Sequence, residues 1–329
     1  MNVLFVSAGR RVELLRSFRR ALDEIDPAGR IVAVDIDPIA PALQVADTSY
    51  IVPRLSDDRF VGCIVDVCER ERIDLVFPLI DPDVPVLARH RAQIEATGAR
   101  VVAVSEDAAL TVGDKLLTDG FFRNLGVSTP RCWVPEEIDP HHFRYPAFIK
   151  PRNGSASENA FPVRNARELE FFSTYIARPI VQEYVDGPEI TSDVLCDFDG
   201  SVRAVVSRRR IQVRAGEVTK GVTVYDPEIA DQCVLIAKSL GAIGPITVQC
   251  LLKDGQPTFT EVNPRFGGGL PLGIAAGVDS PKWLLAWAAG RDVDVPPIGS
   301  YEVGVCISRY DESLLLREEQ IADAQSRRL

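Results

Sequence analysis

In the first third of the chain, apolar positions follow two alternating rhythms. Short unbroken runs at Asn2–Ser7, Ile31–Asp35, Leu75–Leu79 and Val101–Val104 have the length of buried strands. Between them Val12, Leu15, Phe18 and Leu22 recur at helical spacing, and 61–71 and 84–97 read as further helices. Strand, helix, strand in succession predicts a parallel sheet covered by helices. A helical stretch from Ser105 carries Asp114-Lys115 and runs through Phe122, before the break Gly126–Pro130. Phe148–Lys150 is a strand, 165–176 a helix and Ile180–Val185 a strand.

Hairpins follow. Ile190–Cys196 returns through Ser201–Val206 around Asp199-Gly200, Ser207–Val213 is basic and strand-like, and Val218–Val224 is another candidate strand. Residues 227–240 form a helix with Cys233, Ile236, Ala237 and Leu240 inward and Gly241 at its end. Ile246–Leu252 and Thr258–Val262 make a hairpin, and 280–289 a helix with Ser280 as cap and Pro281 as first residue. Residues 303–308 close as a strand, and the charged tail after 311 reads as loosely packed. The expected class is α/β with α+β C-terminal parts, divided as 1–105, 106–190 and 191–329.

Composition narrows the function. A net charge of -10 argues against a nucleic-acid surface, and only Ser207–Arg210 is locally basic. No apolar run approaches the roughly 18 residues of a membrane span, and the opening reads as a strand rather than a signal peptide. Seven scattered cysteines without a CxxC pair suggest reduced thiols and a cytoplasmic protein. Three histidines leave little supply for histidine-based chemistry.

Candidate chemistry concentrates between Gly244 and Pro271. Glu261 and Asn263 leave one face of the returning strand, and two oxygen donors at that spacing suit a hard cation such as magnesium. Gln249 joins them under one condition. A plain two-residue turn at Asp254-Gly255 pairs Gln249 with Thr260 and puts it on the wrong face. An odd loop, such as 254–256, or a bulge pairs it with Glu261. The competing reading is an ordinary half-buried hairpin with a polar edge. Elsewhere, Arg10 and Arg11 sit at the carboxyl end of the first strand, where ligands collect in parallel sheets, although Gly9 is equally a plain tight turn. Asp35 and Asp37 end the second strand and either meet the same ligand or are simply solvated, and Asp81 and Asp83 again place acids at a strand end. The small-residue loop after Lys150 lets backbone N–H groups approach phosphate, or is a flexible hairpin loop. Neither GxxxxGK[ST] nor GxGxxG occurs, so a P-loop is excluded and a dehydrogenase reading is weak.

In order, Lys115, Ile149-Lys150-Pro151, Asn153–Ser157, Gln182–Val185, Gly187-Pro188-Glu189, Val248-Gln249 and Glu261–Arg265 resemble the ATP-grasp superfamily. Within it the sequence is most similar to the ATP-grasp units of the carbamoyl phosphate synthetase large subunit and their stand-alone relatives, over roughly residues 1–300. The resemblance implies an ATP-grasp fold behind a Rossmann-like domain. It implies ATP and magnesium as cofactors, with manganese able to substitute. Lys115 and Lys150 would meet the phosphates; Gly154, Ser155 and Ala156 would cover them; Glu183 and the backbone of Val185 would hold adenine and Glu189 ribose. Gln249, Glu261 and Asn263 would hold the metal, with Arg265 beside the transferred phosphoryl group. Arg10, Arg11, Gly268 and Gly269 are weaker substrate candidates, and Arg208, Arg210 and Lys220 stay open between ligand contact and an exposed strand face. The implied reaction joins a small-molecule carboxylate to an amine through an acyl phosphate. Alternatives are a carbamoyl phosphate-type or other small-molecule kinase and a non-catalytic nucleotide-binding module. A homodimer is a further expectation.

Overall fold

The structure is a computed structural model that describes residues 1–154, 158–214 and 216–329. The first unit alternates strand and helix: β1 (Asn2–Val6), α1 (Val12–Ile25), β2 (Arg30–Asp35), β3 (Thr48–Ile51), α2 (Phe60–Glu71), β4 (Leu75–Pro78), α3 (Asp83–Arg89), α4 (Arg91–Glu95) and β5 (Arg100–Val101). These strands form a parallel sheet in the order β3-β2-β1-β4-β5. β3 follows from no strong pattern in the sequence, because Thr48–Ile51 is short and only its alternate residues are buried. The helix expected over 84–97 is broken at His90 into α3 and α4.

Next come α5 (Glu106–Gly113) and α6 (Lys115–Asn124), split where Asp114 caps α6 by accepting from Leu116 N and Leu117 N. A small antiparallel sheet follows, built from β6 (Cys132–Trp133), β7 (Ala147–Pro151), β8 (Phe161–Val163) and, after α7 (Ala166–Tyr175), β9 (Pro179–Glu183). Its order is β6-β9-β7-β8. The last part holds β10 (Glu189–Cys196), β11 (Val202–Arg214), β12 (Glu217–Val224), α8 (Pro227–Ser239), β13 (Gly244–Lys253), β14 (Gln256–Asn263), α9 (Leu270–Ala275), α10 (Ser280–Ala288), β15 (Cys306–Ser308) and α11 (Glu318–Ser326). Its strands form an antiparallel sheet ordered β14-β13-β10-β11-β12-β15.

Two details depart from the sequence reading. Asp279, not Ser280, caps α10, its side chain accepting from Lys282 N. The tail beyond residue 311 is not simply loose: it forms α11, and Leu329 N donates to Ile51 O at 3.0 Å, so the end of the chain lies along β3.

The large sheet has two unlike faces. Ile190, Val194, Cys196, Ile246, Val248, Cys250 and Val262 turn to α8 and share one core with Leu4, Val6, Val32 and Val34 of the first unit. The other face is apolar at Leu195, Ala204 and Val206 and polar beyond them, at Thr191, Asp193 and Arg208. A second core joins Phe5, Phe18 and Phe77 to Phe266, with the Phe266 ring 5.5 Å from Phe77 and 5.7 Å from Phe18. Burying a phenylalanine of that kind contributes about 1.5–3 kcal/mol. Here it also fixes the residue directly after Arg265 in the first unit's core.

Candidate active site

The β13–β14 hairpin sets the site. Its turn is a two-residue one: Lys253 faces Gln256, and Asp254 and Gly255 both take positive φ, 50° and 82°. That is the primed turn that matches strand twist, and the second position favours glycine. The odd residue lies instead within the strand. Cys250 faces Phe259 while Gln249 faces Glu261, leaving Thr260 as a bulge. The shift brings Gln249 to the face that carries Glu261 and Asn263.

Around that face the cations and acids alternate. The Asn263 amide, oriented by its hydrogen-bond network, donates to Glu261 Oε1 at 3.3 Å and to the two Asp81 carboxylate oxygens at 3.2 and 3.3 Å. Its oxygen is thereby turned away from both acids. Arg265 Nη2 reaches Asp81 Oδ2 at 2.9 Å and Nη1 donates to Phe266 O at 3.1 Å, while its Nε is buried and unpartnered among the described residues. Lys115 donates to Gly154 O at 2.7 Å. Burial pulls its pKa down, against the opposing pull of Glu261 and Asp81. Lys150, half-buried on β7, is pushed down to about 8, first by burial and then, against the attraction of Glu261, by Lys115. Two lysines from the small-sheet side thus feel the same Glu261 that the large sheet supplies.

The remaining candidates distribute as follows. Ser155 and Ala156 lie outside the described residues. Glu183, at the end of β9, bonds Lys253 Nζ at 2.6 Å; this partner and backbone donation from Arg131 hold its carboxyl below its ordinary range. Val185 is half-buried in the segment joining the two antiparallel sheets. Glu189 pairs with Arg210 at 2.5 Å, and Arg208 pairs with Asp193. Both arginines are therefore neutralised on the polar face, and their Nε atoms are buried without a partner among the described residues. Lys220 faces Ser308 at the other edge of the sheet. Arg10 is 84% exposed and reaches Asp311, whereas Arg11 turns inward to Glu217 Oε1 at 3.2 Å. Glu217 also takes Arg309 at 2.8 Å.

Charged side chains lie close against the glycines. A Cβ on Gly268 would lie 3.0 Å from the Glu217 carboxylate, and one on Gly269 would lie 2.2 Å from the Arg208 guanidinium, which would have to move. Asp81 is the functional neighbour that sequence reasoning left unassigned. It stood out only as a strand-end acid, and nothing in the sequence ties it to a residue 184 positions away.

A divalent cation fits this set. Among the described residues no three His, Cys, Asp or Glu side chains gather as a metal site. The Glu261 carboxylate and the facing Gln249 amide, with the Asp81 carboxylate close by, offer the oxygens that suit a hard, oxygen-seeking ion. The buried, unpartnered Nε of Arg265 beside them suits an anionic ligand.

A family model described as a PylC-like N-terminal domain matches residues 3–102, and one described as an ATP-grasp domain matches residues 112–269. The chain is 24% identical over 273 residues to a carbamoyl-phosphate synthase of Methanobrevibacter smithii, covering 76% of this chain and 71% of the relative. It is 35% identical over 183 residues to a D-alanine–D-alanine ligase of Fusobacterium nucleatum, covering 52% of this chain and 61% of the relative. In fold it resembles the biotin carboxylase domain dimer of Hydrogenobacter thermophilus 2-oxoglutarate carboxylase, solved with MgADP, ADP and bicarbonate. The TM-score is 0.69 at 20% identity, over 89% of this chain and 70% of that one. No helix among the described residues is long and apolar enough to cross a membrane. Residues 112–269 are thus an ATP-grasp domain, led into by a PylC-like N-terminal domain.

Proposed function

We propose that this protein is an ATP-dependent ligase that activates a carboxylate as an acyl phosphate and joins it to an amine. The observation that carries the reading is the meeting of Lys115 and Lys150 with Glu261, Asn263, Asp81 and Arg265 at one place. Cations on one side and hard oxygens on the other make the environment a metal-bound triphosphate needs. Magnesium, when bound, neutralises the phosphates and aligns the γ-phosphoryl group; we assign its ligands as Gln249, Glu261 and Asn263, and extend the role to manganese.

The chain's own groups do the positioning. Lys115 and Lys150 follow the phosphates as flexible point charges. Arg265 offers its planar fork to the charge that develops as a substrate carboxylate oxygen attacks the γ-phosphorus and ADP departs. The amine nitrogen then attacks the acyl carbon, the C–O bond to phosphate breaks, and the amine loses its proton. No histidine is needed. The loop around Gly154, with Ser155 and Ala156, covers the phosphates and keeps water from the acyl phosphate. Glu183 and Val185 serve adenine and Glu189 ribose. Arg11, Gly268 and Gly269 face the substrate, with Arg10 at the rim. The domain limits 1–105, 106–190 and 191–329, a cytoplasmic location and a homodimer complete the proposal. The dimer is supported by the dimeric biotin carboxylase domain of similar fold.

A second reading, a carbamoyl phosphate-type kinase, is favoured by the likeness to a carbamoyl-phosphate synthase. ADP release measured with pooled amino acids, and separately with bicarbonate alone, tells the two apart. Amine-dependent release with a condensed product by mass spectrometry is the expected result. Release with bicarbonate and no amine would transfer the assignment to the kinase. Absence of any release would leave only a nucleotide-binding module.

A further inference from the structure

Asp81 lies in the first unit, on the loop between β4 and α3, far in sequence from every residue assigned above to ATP or metal. Yet its carboxylate makes two contacts in the centre of the site. One oxygen takes Arg265 Nη2 at 2.9 Å, and both oxygens accept from the Asn263 amide at 3.2 and 3.3 Å. The side chains are 23% exposed for Asp81 and 14% for Arg265, so the pair is largely screened from solvent. Two anchors hold the Asp81 loop. Asp83, fully buried, accepts from the Ser7 hydroxyl at 3.1 Å, tying the loop to the turn that carries Arg11. From the other side, Phe266 is set among Phe18 and Phe77, so the residue after Arg265 cannot drift from the loop.

We propose that Asp81 is a positioning residue for the phosphoryl-transfer end of the site. Through one carboxylate the first unit fixes the Arg265 fork and sets a second acid beside Glu261, across the Asn263 amide that donates to both. Partners of this kind around a metal ligand typically govern affinity by about 10- to 100-fold. Asp81 also contributes negative charge beside the cation, and it holds Arg265 in place for the transferred group.

The inference rests on the metal assignment of the preceding section, and its test separates the two. Binding of Mn2+ to the ADP complex is followed by electron paramagnetic resonance, and binding of metal-free ADP by calorimetry, for the full chain and for Asp81→Asn, Asp81→Ala and Glu261→Gln. Asp81→Asn is expected to weaken Mn2+ binding about 10- to 100-fold while metal-free ADP binds as tightly as before or more tightly. A residue that merely supports the fold would lower both affinities and the melting temperature together. Melting temperatures of Asp81→Ala, Arg265→Lys and the double variant, read without nucleotide, are expected to be non-additive, as for any directly coupled pair. Wild-type Mn2+ affinity in both Asp81 variants, with Glu261→Gln impaired, would overturn the role of Asp81 alone. Unchanged Mn2+ affinity in Glu261→Gln, or no Mn2+·ADP binding by the unaltered protein, would overturn the metal assignment and the inference with it.

Discussion

The small sheet and the large sheet are both antiparallel, but they are held in different ways. Buried residues of the small sheet, Ala147, Ile149, Val163 and Val181, form a core of their own with Leu169 of α7 and Ile176 at its end. Those of the large sheet have no separate core. They are divided between two clusters that each include the first unit's parallel sheet. The first unit and the large sheet are therefore one body, in which Arg265, Asn263 and Glu261 are fixed, and the small sheet is a second body bringing Lys150 to them. A ligase that must admit ATP and then exclude water needs this division: rigid donors on one side, a separately packed cover on the other.

Removing the shared aromatic contact tests that division most severely. Phe266→Ala should cost about 3–5 kcal/mol and lower the main thermal transition. Leu169→Ala, in the small core, should cost about 2–5 kcal/mol but open the small sheet in a separate, earlier transition by calorimetry. A single transition for Leu169→Ala would merge the two bodies. Next in size, Glu261→Gln should reduce substrate-dependent ADP release by about 10²- to 10³-fold with the melting temperature unchanged. Loss of fold instead would make Glu261 structural.

Lys150 gives a smaller effect with a defined pH sense. Its free-state pKa is pushed down to about 8, and a phosphate ligand favours the protonated form. Affinity for metal-free ADP should stay level below about pH 7 and fall as pH rises through about 8, as more of the lysine must gain a proton to bind. Calorimetry on Lys150→Met should show weaker binding and lose that part of the pH dependence; a Lys150→Met profile as steep as the parent's would assign the titration to another group. The smallest effect belongs to Lys253, whose ion pair with Glu183 bridges the two bodies at 47% and 35% exposure. Lys253→Ala should change stability by less than about 1 kcal/mol by denaturant titration. A larger loss would mean the bridge, rather than the separate cores, governs how the bodies meet.

Much of this was legible in the sequence where the signal is local. Strand–helix alternation gave the parallel sheet, and the alternation of Glu261 and Asn263 required an odd loop or a bulge before Gln249 could join them; the structure has the bulge, at Thr260. The sequence could not distinguish an odd loop from a bulge, since Asp254-Gly255 serves a two-residue turn equally well. Cross-chain pairs were beyond reach. Asp193 and Arg208 are visible as charges, but their meeting depends on which strands are neighbours. Asp81 is hidden for the same reason. The tail's charge pointed to solvent, yet two backbone hydrogen bonds and a short helix lay it beside Ile51, because an edge strand offers unpaired groups whatever the side chains.

The most direct test of the central claim is a crystal structure with magnesium and a non-hydrolysable ATP analogue. The account predicts the triphosphate between Lys115 and Lys150 on one side and Arg265 on the other, with the cation on Glu261, Asn263 and Gln249. A triphosphate seated on the Ser7–Arg11 turn, or a cation bound away from Glu261, would contradict it.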